Sequence, residues 1–380
     1  MKKVLATILA LVMALGLTTM AWADDVAKIG STGYATLKAA IEHVADGETI
    51  VLTADVNNGD GIVVASGKNF TLDFAGHTYT ITQNVVGSTG TESQCFQLLK
   101  DSTITMKNGT IVANCTGAKM IIQNYCNLTL DNMKLDATAG NNNVGYVVSN
   151  NCGNVFIKNG TTITAKTTGV AFDVYGGFQN YGDVSVTLEA GATVNGKVEV
   201  ARDTGTQNQN RNTLTVTGGT VNGELDVDAH EKTEVAVTGG TFSSYVSNYV
   251  AGDTPVASFN DDTYYVGAGT IQNVASSLSA GDQLVIMQGT VRLTDVPVGV
   301  TVANNNVGTV TVNGSGAITE GNPYTVPARY YYNSTTTTTD TKTTDTKGSP
   351  KTFDAGIALY VGMALTSAAG VAFVGKKRED

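Results

Sequence analysis

The chain has few of the residues that define several common protein classes. Of its 380 residues only 5 are Pro, 4 are Cys and 1 is Trp, and charged residues make up 15%. Four cysteines are too few for a disulfide scaffold, in which cross-links replace a large core. Lys and Arg total 23 against 33 Asp and Glu, a formal net charge of −10. This balance argues against a nucleic-acid-binding protein, which needs clustered cations to displace phosphate counterions.

What the chain does have is apolar residues, glycine and threonine. The apolar fraction of 42% is enough to form a core, which excludes wholesale disorder. The 43 Gly alternate with short segments rich in Val, Ile and Thr. Such segments, bounded by Gly and Asn, are typical of short β-strands joined by corners.

The N-terminus has the features of an export signal. Two lysines at positions 2 and 3 precede an apolar run from Val4 to Met20, and Ala21-Trp22-Ala23 supplies a small-x-small cleavage site. Residues 1–23 are therefore predicted to be a signal peptide cleaved after Ala23. The alternative is an N-terminal transmembrane anchor.

The C-terminus, residues 349–380, combines three features in a fixed order. Pro350, Lys351 and Thr352 precede the uncharged segment Ala355–Gly375, and the basic cluster Lys376-Lys377-Arg378 follows it. Twenty-one helical residues span about 30 Å, the thickness of the hydrocarbon core of a bilayer. The basic cluster should stay on the cytoplasmic side.

This order resembles the cell-wall sorting signal of Gram-positive surface proteins, in which a sortase joins the Thr of Leu-Pro-x-Thr-Gly to peptidoglycan. Ser349 and Phe353 depart from that pattern. The resemblance implies sortase and peptidoglycan as partners and an extracellular protein anchored to the cell wall of a bacterium. If no cut occurs, Ala355–Gly375 would serve as a plain membrane anchor. Residues 328–348, rich in Thr, are predicted to be a solvated linker.

The middle of the chain repeats one short phrase, an alternating apolar triplet followed by a turn with Asn or Gly. Copies recur in the same direction at intervals of 21–34 residues, and their first residues are Phe70, Ile104, Leu128, Val155, Val186, Leu214 and Val235. Same-direction copies predict parallel strands stacked about 4.8 Å apart, coil on coil. The pattern resembles the right-handed parallel β-helix of the pectate-lyase-like superfamily. The fold class is therefore all-β, with the solenoid over residues 24–265.

Two segments carry a helical apolar stripe. The first, Thr36–Ala45, is predicted to cap the N-terminal end of the coil stack and to lead into the strand 49–52. The same pattern returns 234 residues later, at Thr270. Residues 266–327 are therefore predicted to form a small helix-plus-strands cap or a second module, with strands at 283–287, 291–293, 298–302 and 309–312.

The four cysteines, Cys95, Cys115, Cys126 and Cys152, lie in the middle coils at separations near one coil length. Stacked positions bring Cα atoms within disulfide range, and an exported protein can be oxidised. Disulfides are therefore possible, with the pairing left open. The alternative is that these cysteines are small buried core residues.

The strongest cluster of acidic residues lies near the end of the repeat. Asp226 and Asp228 share one face of a predicted strand, and Glu199 on the preceding coil aligns with Asp226. Stacked carboxylates repel, so Glu199 and Asp226 are a candidate Ca²⁺ site, and Glu199, Asp226 and Asp228 are candidate catalytic carboxylates. The fold resemblance implies a cationic partner for a lyase, and Arg202 and Arg211 are the nearest candidates. The alternative is a solvated acidic face.

Aromatic residues suggest a second candidate site. Phe172, Tyr175, Phe178 and Tyr181 lie close together beside Asn and Gln residues, a combination suited to sugar rings or a protein partner. The alternative is that these rings pack a loop onto the coil. The favoured function is non-catalytic adhesion or recognition of glycans or proteins without a cofactor. The alternatives are a surface-bound polysaccharide lyase or glycoside hydrolase, and a passive spacer.

Overall fold

The computed structural model describes residues 25–177, 180–202 and 210–328. The predicted signal peptide, nearly all of the predicted linker, the sorting motif and the segment Ala355–Gly375 lie outside these ranges. Within them, neither helix has the length and apolar character needed to cross a membrane.

Nearly half of the described residues lie in short strands, and successive strands of the repeat pair in parallel. Three such series form three faces. The strands of the first face are Thr49–Leu52, Asn69–Asp73, the first part of Thr103–Ala113, the first part of Asn127–Asp136, Gly153–Ile157, Val184–Leu188, Asn212–Val216 and Thr233–Val237. The strands of the second face are Val56–Gly59, Thr78–Ile81, the second parts of Thr103–Ala113 and Asn127–Asp136, Thr162–Thr164, Thr193–Asn195, Thr220–Asn222 and Gly240–Phe242.

The third face is a separate parallel sheet of seven strands within the described ranges. Its strands are Ile62–Val64, Gln94–Leu98, Met120–Asn124, Tyr146–Asn150, Val170–Val174, Lys197–Val200 and Leu225–Val227. The chain visits the three faces in turn and then returns to the first, one coil further along. A mainly β chain with parallel sheets was predicted, and this arrangement is compatible with a β-helix-like solenoid.

The alternation of side chains in the strands builds the core. On the first face, Leu128 and Leu130 are aligned with Ile104 and Met106 of the preceding coil, and all four are buried. Because successive residues of a strand point to opposite sides, the threonines between them lie on the outer side. Each fully buried side chain of this size contributes about 1.5–3 kcal/mol, so the column of inward residues stabilises the stack.

Asparagine forms the corner between the first and second faces in two neighbouring coils. Asn108 and Asn132 adopt φ values of 57° and 53°, a left-handed conformation that Asn tolerates better than most residues. The Asn132 side-chain amide donates to Asn108 Oδ1 at 3.2 Å, and the Asn108 amide donates to Asp73 Oδ1 at 3.2 Å. These bonds link three successive coils at the corner.

An antiparallel hairpin and a helix begin the fold. The strands Ala27–Ile29 and Thr32–Tyr34 form the hairpin, and helix α1, Leu37–His43, follows. The Thr36 hydroxyl accepts the Ala39 N–H at 3.1 Å and caps the helix. Leu37, Ala40 and Ile41 of α1 are buried in the main core. The predicted helix therefore forms, and the sequence pattern did not reveal the hairpin.

The same unit recurs later in the chain. Strands Val256–Phe259 and Thr263–Val266 form a second hairpin, followed by helix α2, Ala268–Ser277, and strand Gln283–Gln288. In both units the first strand of the hairpin pairs antiparallel with the strand that follows the helix. Ala27 lies opposite Leu52 in the first unit, and Ala257 lies opposite Ile286 in the second. The second unit has its own core around Ile271, Leu284 and Val302.

The strands that follow α2 pair in parallel, as in the main stack. Gln283–Gln288 pairs with Thr301–Asn304, and Val291–Leu293 pairs with Val310–Val312. The strand predicted at 298–302 begins only at Thr301, because Gly299 has φ 85° and turns the chain. The short strand Tyr324–Thr325 pairs antiparallel with Thr301–Asn304.

The second unit covers the last coil of the stack. Strand Thr263–Val266 pairs antiparallel with Gly240–Phe242, the last strand of the second face. A short 3-10 helix, Ser247–Tyr249, lies between the last coil and the second hairpin, and Val250 forms a parallel bridge with Val237.

Candidate functional site

The third face brings acidic residues into one column. Asp173 pairs with Glu199 on the next strand, and Glu199 pairs with Asp226 on the strand after that. The column follows from the triplets Phe172-Asp173-Val174, Val198-Glu199-Val200 and Leu225-Asp226-Val227, in which apolar residues flank one carboxylate. Parallel register stacks equivalent positions of such triplets about 4.8 Å apart.

Asp173 is held by neutral donors from the preceding coil. The Ser149 hydroxyl donates to Oδ2 at 3.0 Å, and the Asn150 backbone N–H donates to Oδ1. Burial disfavours the charged form and raises the pKa of Asp173 to about 7, although these hydrogen bonds oppose the rise. The negative charge of Glu199 raises the pKa of Asp173 further. Near neutral pH this carboxyl therefore exists in both protonation states.

Glu199 accepts a hydrogen bond from a tyrosine two coils away. The Tyr146 hydroxyl donates to Glu199 Oε2 at 3.1 Å. Burial is the largest cause that raises the pKa of Tyr146, and the negative charge of Glu199 is the next. The pKa rises to about 12, so the phenol keeps its proton. The other carboxylate oxygen of Glu199, Oε1, lies 3.4 Å from Lys197 Nζ.

Asp226 is paired with two cations. Lys197 Nζ lies 3.5 Å and Arg202 Nε lies 3.3 Å from Asp226 Oδ2. Desolvation acts to lower the pKa of Lys197, but hydrogen bonds and charges from Glu199 and Asp226 outweigh it and raise that pKa. Lys197 therefore occupies the position between the two carboxylates that the sequence had suggested for Ca²⁺. Among the described residues, no three His, Cys, Asp or Glu side chains are grouped to hold a metal ion.

Four of these residues line a concavity of about 200 Å³ on the third face, together with Tyr175. Its walls are Tyr146, Asp173, Tyr175, Glu199 and Arg202. Two phenol rings, two carboxyl groups and one guanidinium thus converge on one small space. Such a set offers hydrogen-bond donors and acceptors together with aromatic surface.

The structure places two further candidates of the acidic site elsewhere. Asp228 follows the end of strand Leu225–Val227, and its backbone bonds to Val200 and Thr233. Arg211 Nη1 lies 3.4 Å from Glu234, an exposed pair on the first face, and the Arg211 backbone N–H bonds to Asp183. Of the two arginines suggested by the sequence, Arg202 therefore joins the acidic column.

The aromatic candidates also separate. Phe172 is 1% exposed and lies in the core, so its ring is not available to a ligand. Tyr175 lines the third-face concavity, and Phe178 lies outside the described residues. The ring centroid of Tyr181 lies 4.7 Å from that of Tyr125, and Lys100 Nζ lies 6.0 Å from the Tyr181 centroid.

Tyr125 and Tyr181 lie at a neighbouring concavity of about 220 Å³ near the start of the first face. Lys100, Asp101 and Asp183 also line it. Lys100 Nζ donates to the Asn180 carbonyl at 2.9 Å, which anchors the segment that carries Tyr181. The predicted aromatic cluster is thus divided between this concavity, the third-face concavity and the core.

Asp173 and Tyr146 were not among the candidates for the acidic site, although the sequence contains a signal for Asp173. The triplet Phe172-Asp173-Val174 has the same apolar–acidic–apolar form as the triplets around Glu199 and Asp226. Tyr146 begins its strand in a triplet without a charge, and its hydroxyl reaches Glu199 across 53 positions of sequence. Sequence spacing alone gives no sign of that contact.

A comparison of the chain with family models, curated proteins and solved structures gave no match. The chemistry of the third face is therefore the basis for a functional conclusion.

Proposed function

We propose that this protein is a bacterial surface protein that recognises glycans, without catalysis, through the third-face concavity. In this proposal residues 1–23 direct export, and the C-terminal segment attaches the protein to the cell wall through sortase or to the membrane directly. The body is a right-handed parallel β-helix of the pectate-lyase-like kind, displayed outside the cell. The observation that carries the proposal is the convergence of Tyr146, Asp173, Tyr175, Glu199 and Arg202 on one concavity.

The residue types of this concavity suit a sugar. Carboxylates and guanidinium groups form charge-assisted hydrogen bonds, which sugar hydroxyls can accept or donate. A tyrosine ring offers flat apolar surface to the C–H groups of a pyranose and a hydroxyl at its edge. Asp173 and Glu199 lie on paired strands, so their positions are fixed by the sheet before a ligand arrives.

The charge of the site favours a neutral sugar. Asp173, Glu199 and Asp226 contribute up to three negative charges, and Lys197 and Arg202 contribute two positive charges that already pair with them. The carboxylates of the site would repel the carboxylate of a uronate, and both cations, Lys197 and Arg202, are already paired with acidic residues. We therefore propose that neutral glycans are preferred to polyuronates.

A glycoside hydrolase is the second candidate function, and one observation favours it. The pKa of Asp173 is raised to about 7, and Glu199 lies beside it on the next coil. A protonated carboxyl next to an ionised one is the combination that glycoside hydrolysis requires of its acid and base or nucleophile.

The test is a binding screen of the full chain on immobilised neutral polysaccharides and polyuronates. We expect retention on a neutral polysaccharide, and a loss of at least about tenfold in affinity for Tyr175→Ala, because a buried stacking contact is worth about 1.4 kcal/mol or more. Tyr245→Ala, which changes an exposed tyrosine outside the concavity, is the matched control and should bind normally.

The same samples are assayed for new reducing ends. Reducing ends that form with the wild-type protein and disappear with Asp173→Asn would show that the protein hydrolyses glycans, and would contradict recognition without catalysis. Absence of binding to every polysaccharide in the panel would contradict glycan recognition and favour a passive spacer.

A further inference from the structure

Cys95, in a strand of the third face, interacts with Cys115, in a connecting segment. Cys95 belongs to strand Gln94–Leu98, in which all five residues are buried. Cys115 lies in residues 114–119, which lead from the second face back to the third-face strand Met120–Asn124. The Cys95 thiol donates a hydrogen bond to the Cys115 sulfur, so the two side chains are in direct contact.

Backbone hydrogen bonds fix this segment against the strand. Lys119 N–H donates to the Ser93 carbonyl at 2.8 Å, and Met120 N–H donates to the same oxygen at 3.2 Å. At the other end, Asn114 N–H donates to the Ile81 carbonyl at 2.8 Å. Both ends of the segment are thus held, and Cys115 cannot move far from Cys95.

Cys126 and Cys152 are engaged differently. Cys126 Sγ lies 3.2 Å from Asn124 Oδ1, and Cys152 Sγ lies 2.9 Å from the Tyr125 carbonyl oxygen. Each of these two thiols therefore has an oxygen acceptor from a neighbouring residue or coil, in contrast to the thiol–thiol contact of Cys95 and Cys115.

We propose that Cys95 and Cys115 form an intramolecular disulfide when the protein meets an oxidant, and that Cys126 and Cys152 stay reduced. All four are free thiols in the structure. The oxidant is a small disulfide such as oxidised glutathione, or the disulfide of an oxidoreductase, as expected in an extracellular setting. The inference does not depend on glycan binding.

The two cysteines have different roles in the reaction. Cys115 is partly exposed, and the hydrogen bond from Cys95 lowers its pKa, so Cys115 is the thiol that meets the oxidant and ionises more readily. Cys115 attacks the disulfide of the oxidant and releases one thiolate, forming a mixed disulfide. Cys95 then attacks the Cys115 sulfur, its proton passing to the second departing thiolate. Overall, two protein thiols lose two electrons and two protons, and one small disulfide becomes two thiols.

The bond would stabilise the strand that carries a site residue. The Lys119 carbonyl accepts the Gly145 N–H at 3.0 Å and the Tyr146 N–H at 3.3 Å. A disulfide at Cys115 holds the segment that ends at Lys119, and this segment positions the start of strand Tyr146–Asn150. Oxidation is therefore expected to raise the melting temperature by about 5 °C, since closing a loop of about 20 residues removes conformational freedom from the unfolded chain.

Peptide mapping tests the pairing directly, because trypsin separates all four cysteines. Cleavage after Lys68, Lys100, Lys107, Lys119, Lys134 and Lys158 places Cys95 in peptide 69–100, Cys115 in 108–119, Cys126 in 120–134 and Cys152 in 135–158. The full chain is incubated with oxidised glutathione, alkylated in denaturant without reduction, digested and analysed by mass spectrometry.

We expect peptides 69–100 and 108–119 to be joined, and peptides 120–134 and 135–158 to carry the alkyl group. A link between 120–134 and 135–158, or four alkylated cysteines after oxidation, would overturn the proposal. The melting-temperature difference between oxidised and reduced protein should vanish in Cys115→Ser and persist in the matched control Cys152→Ser. The peptide map of the wild-type protein decides the question even if a variant fails to fold.

Discussion

Asp173 and Glu199 are register partners on neighbouring strands of the third face, yet they meet different partners. Glu199 has an ammonium, Lys197 Nζ, at 3.4 Å, whereas the hydrogen bonds of Asp173 come from the Ser149 hydroxyl and the Asn150 backbone. Two carboxyl groups with Cα atoms about 4.8 Å apart therefore differ in their access to positive charge. This asymmetry explains why burial raises the pKa of Asp173 so far.

The stability of the protein should fall as the pH rises toward neutrality. The pKa of Asp173 is raised from 3.8 to about 7 in the folded state, so the folded protein holds this proton more tightly than the unfolded chain does. The stabilising contribution is complete below about pH 4 and is lost as the pH rises through about 7, by roughly 1 to 4 kcal/mol.

Urea unfolding from pH 4 to pH 8 measures this effect. Asp173→Asn keeps the shape of the side chain and removes its titration, so the variant should lack this part of the pH dependence. Asp136→Asn, which alters another carboxylate with local hydrogen bonds, is the control and should follow the wild-type curve. Identical curves for wild type and Asp173→Asn would contradict the raised pKa.

Replacing Lys197 should make the stability of the protein depend on a divalent cation. Its ammonium lies 3.4 Å from Glu199 Oε1 and 3.5 Å from Asp226 Oδ2, so Lys197→Gln leaves two adjacent carboxylates with less compensation. We expect a loss of about 1 kcal/mol, recovered in millimolar Ca²⁺ because hard cations bind carboxylate oxygens.

Thermal melts with and without Ca²⁺ measure this recovery. Lys134→Gln, which removes a cation 3.8 Å from the single carboxylate of Asp136, is the control and should not respond to Ca²⁺. An equal Ca²⁺ response in the wild-type protein would show that Lys197 does not take the place of the metal.

The sequence was sufficient to predict parallel strands and the alignment of Glu199 with Asp226. Copies of one sequence phrase repeat in the same direction, which predicts parallel strands. Because side chains alternate between the two sides of a strand, burying the apolar residues of each copy also fixes which residues lie opposite each other. The register of these two residues is the predicted one.

The position of Asp173 is harder to predict because its own strand has an irregular register. The pairing of Val170–Val174 with Lys197–Val200 shifts between Val170 and Phe172, a bulge that moves the phase of the triplet. The sequence alone therefore predicts one aromatic loop that contains Phe172 and Tyr175, whereas the strand buries Phe172 and leaves Tyr175 at the concavity. Because the connecting segments differ in length, such a register shift cannot be recognised from the spacing of the sequence.

Phe172 should behave as a core residue in stability measurements. Its side chain is 1% exposed, so Phe172→Ala is expected to cost about 3–5 kcal/mol through lost burial and a cavity. Phe156, on the outer side of the first face, is 39% exposed, and Phe156→Ala should cost about 1 kcal/mol or less. Urea unfolding compares the two, and equal losses would contradict the placement of Phe172.

Gly153 should not tolerate a side chain. Its φ is 86°, and an added Cβ would lie 2.4 Å from the Cys126 carbonyl oxygen of the preceding coil. Gly153→Ala is therefore expected to destabilise the protein by about 2 kcal/mol or more, since strain and a backbone clash combine. Gly145→Ala meets no atom within 4 Å and is the control, with an expected change within about 0.5 kcal/mol. Equal melting temperatures for both variants would contradict the close approach of these coils.

An engineered cross-link between neighbouring coils tests the parallel register on which the site depends. Glu199 and Asp226 are register partners, so cysteines at these positions have Cα atoms about 4.8 Å apart, within disulfide range. Trypsin places position 199 in peptide 198–202 and position 226 in peptide 212–232. The variant Glu199→Cys with Asp226→Cys should join these two peptides after mild oxidation. The control Glu199→Cys with Asp228→Cys, shifted by two residues in the same peptide, should not. Unlinked peptides in the first variant, or equal linkage in both, would contradict the stacked coils and the acidic column built on them.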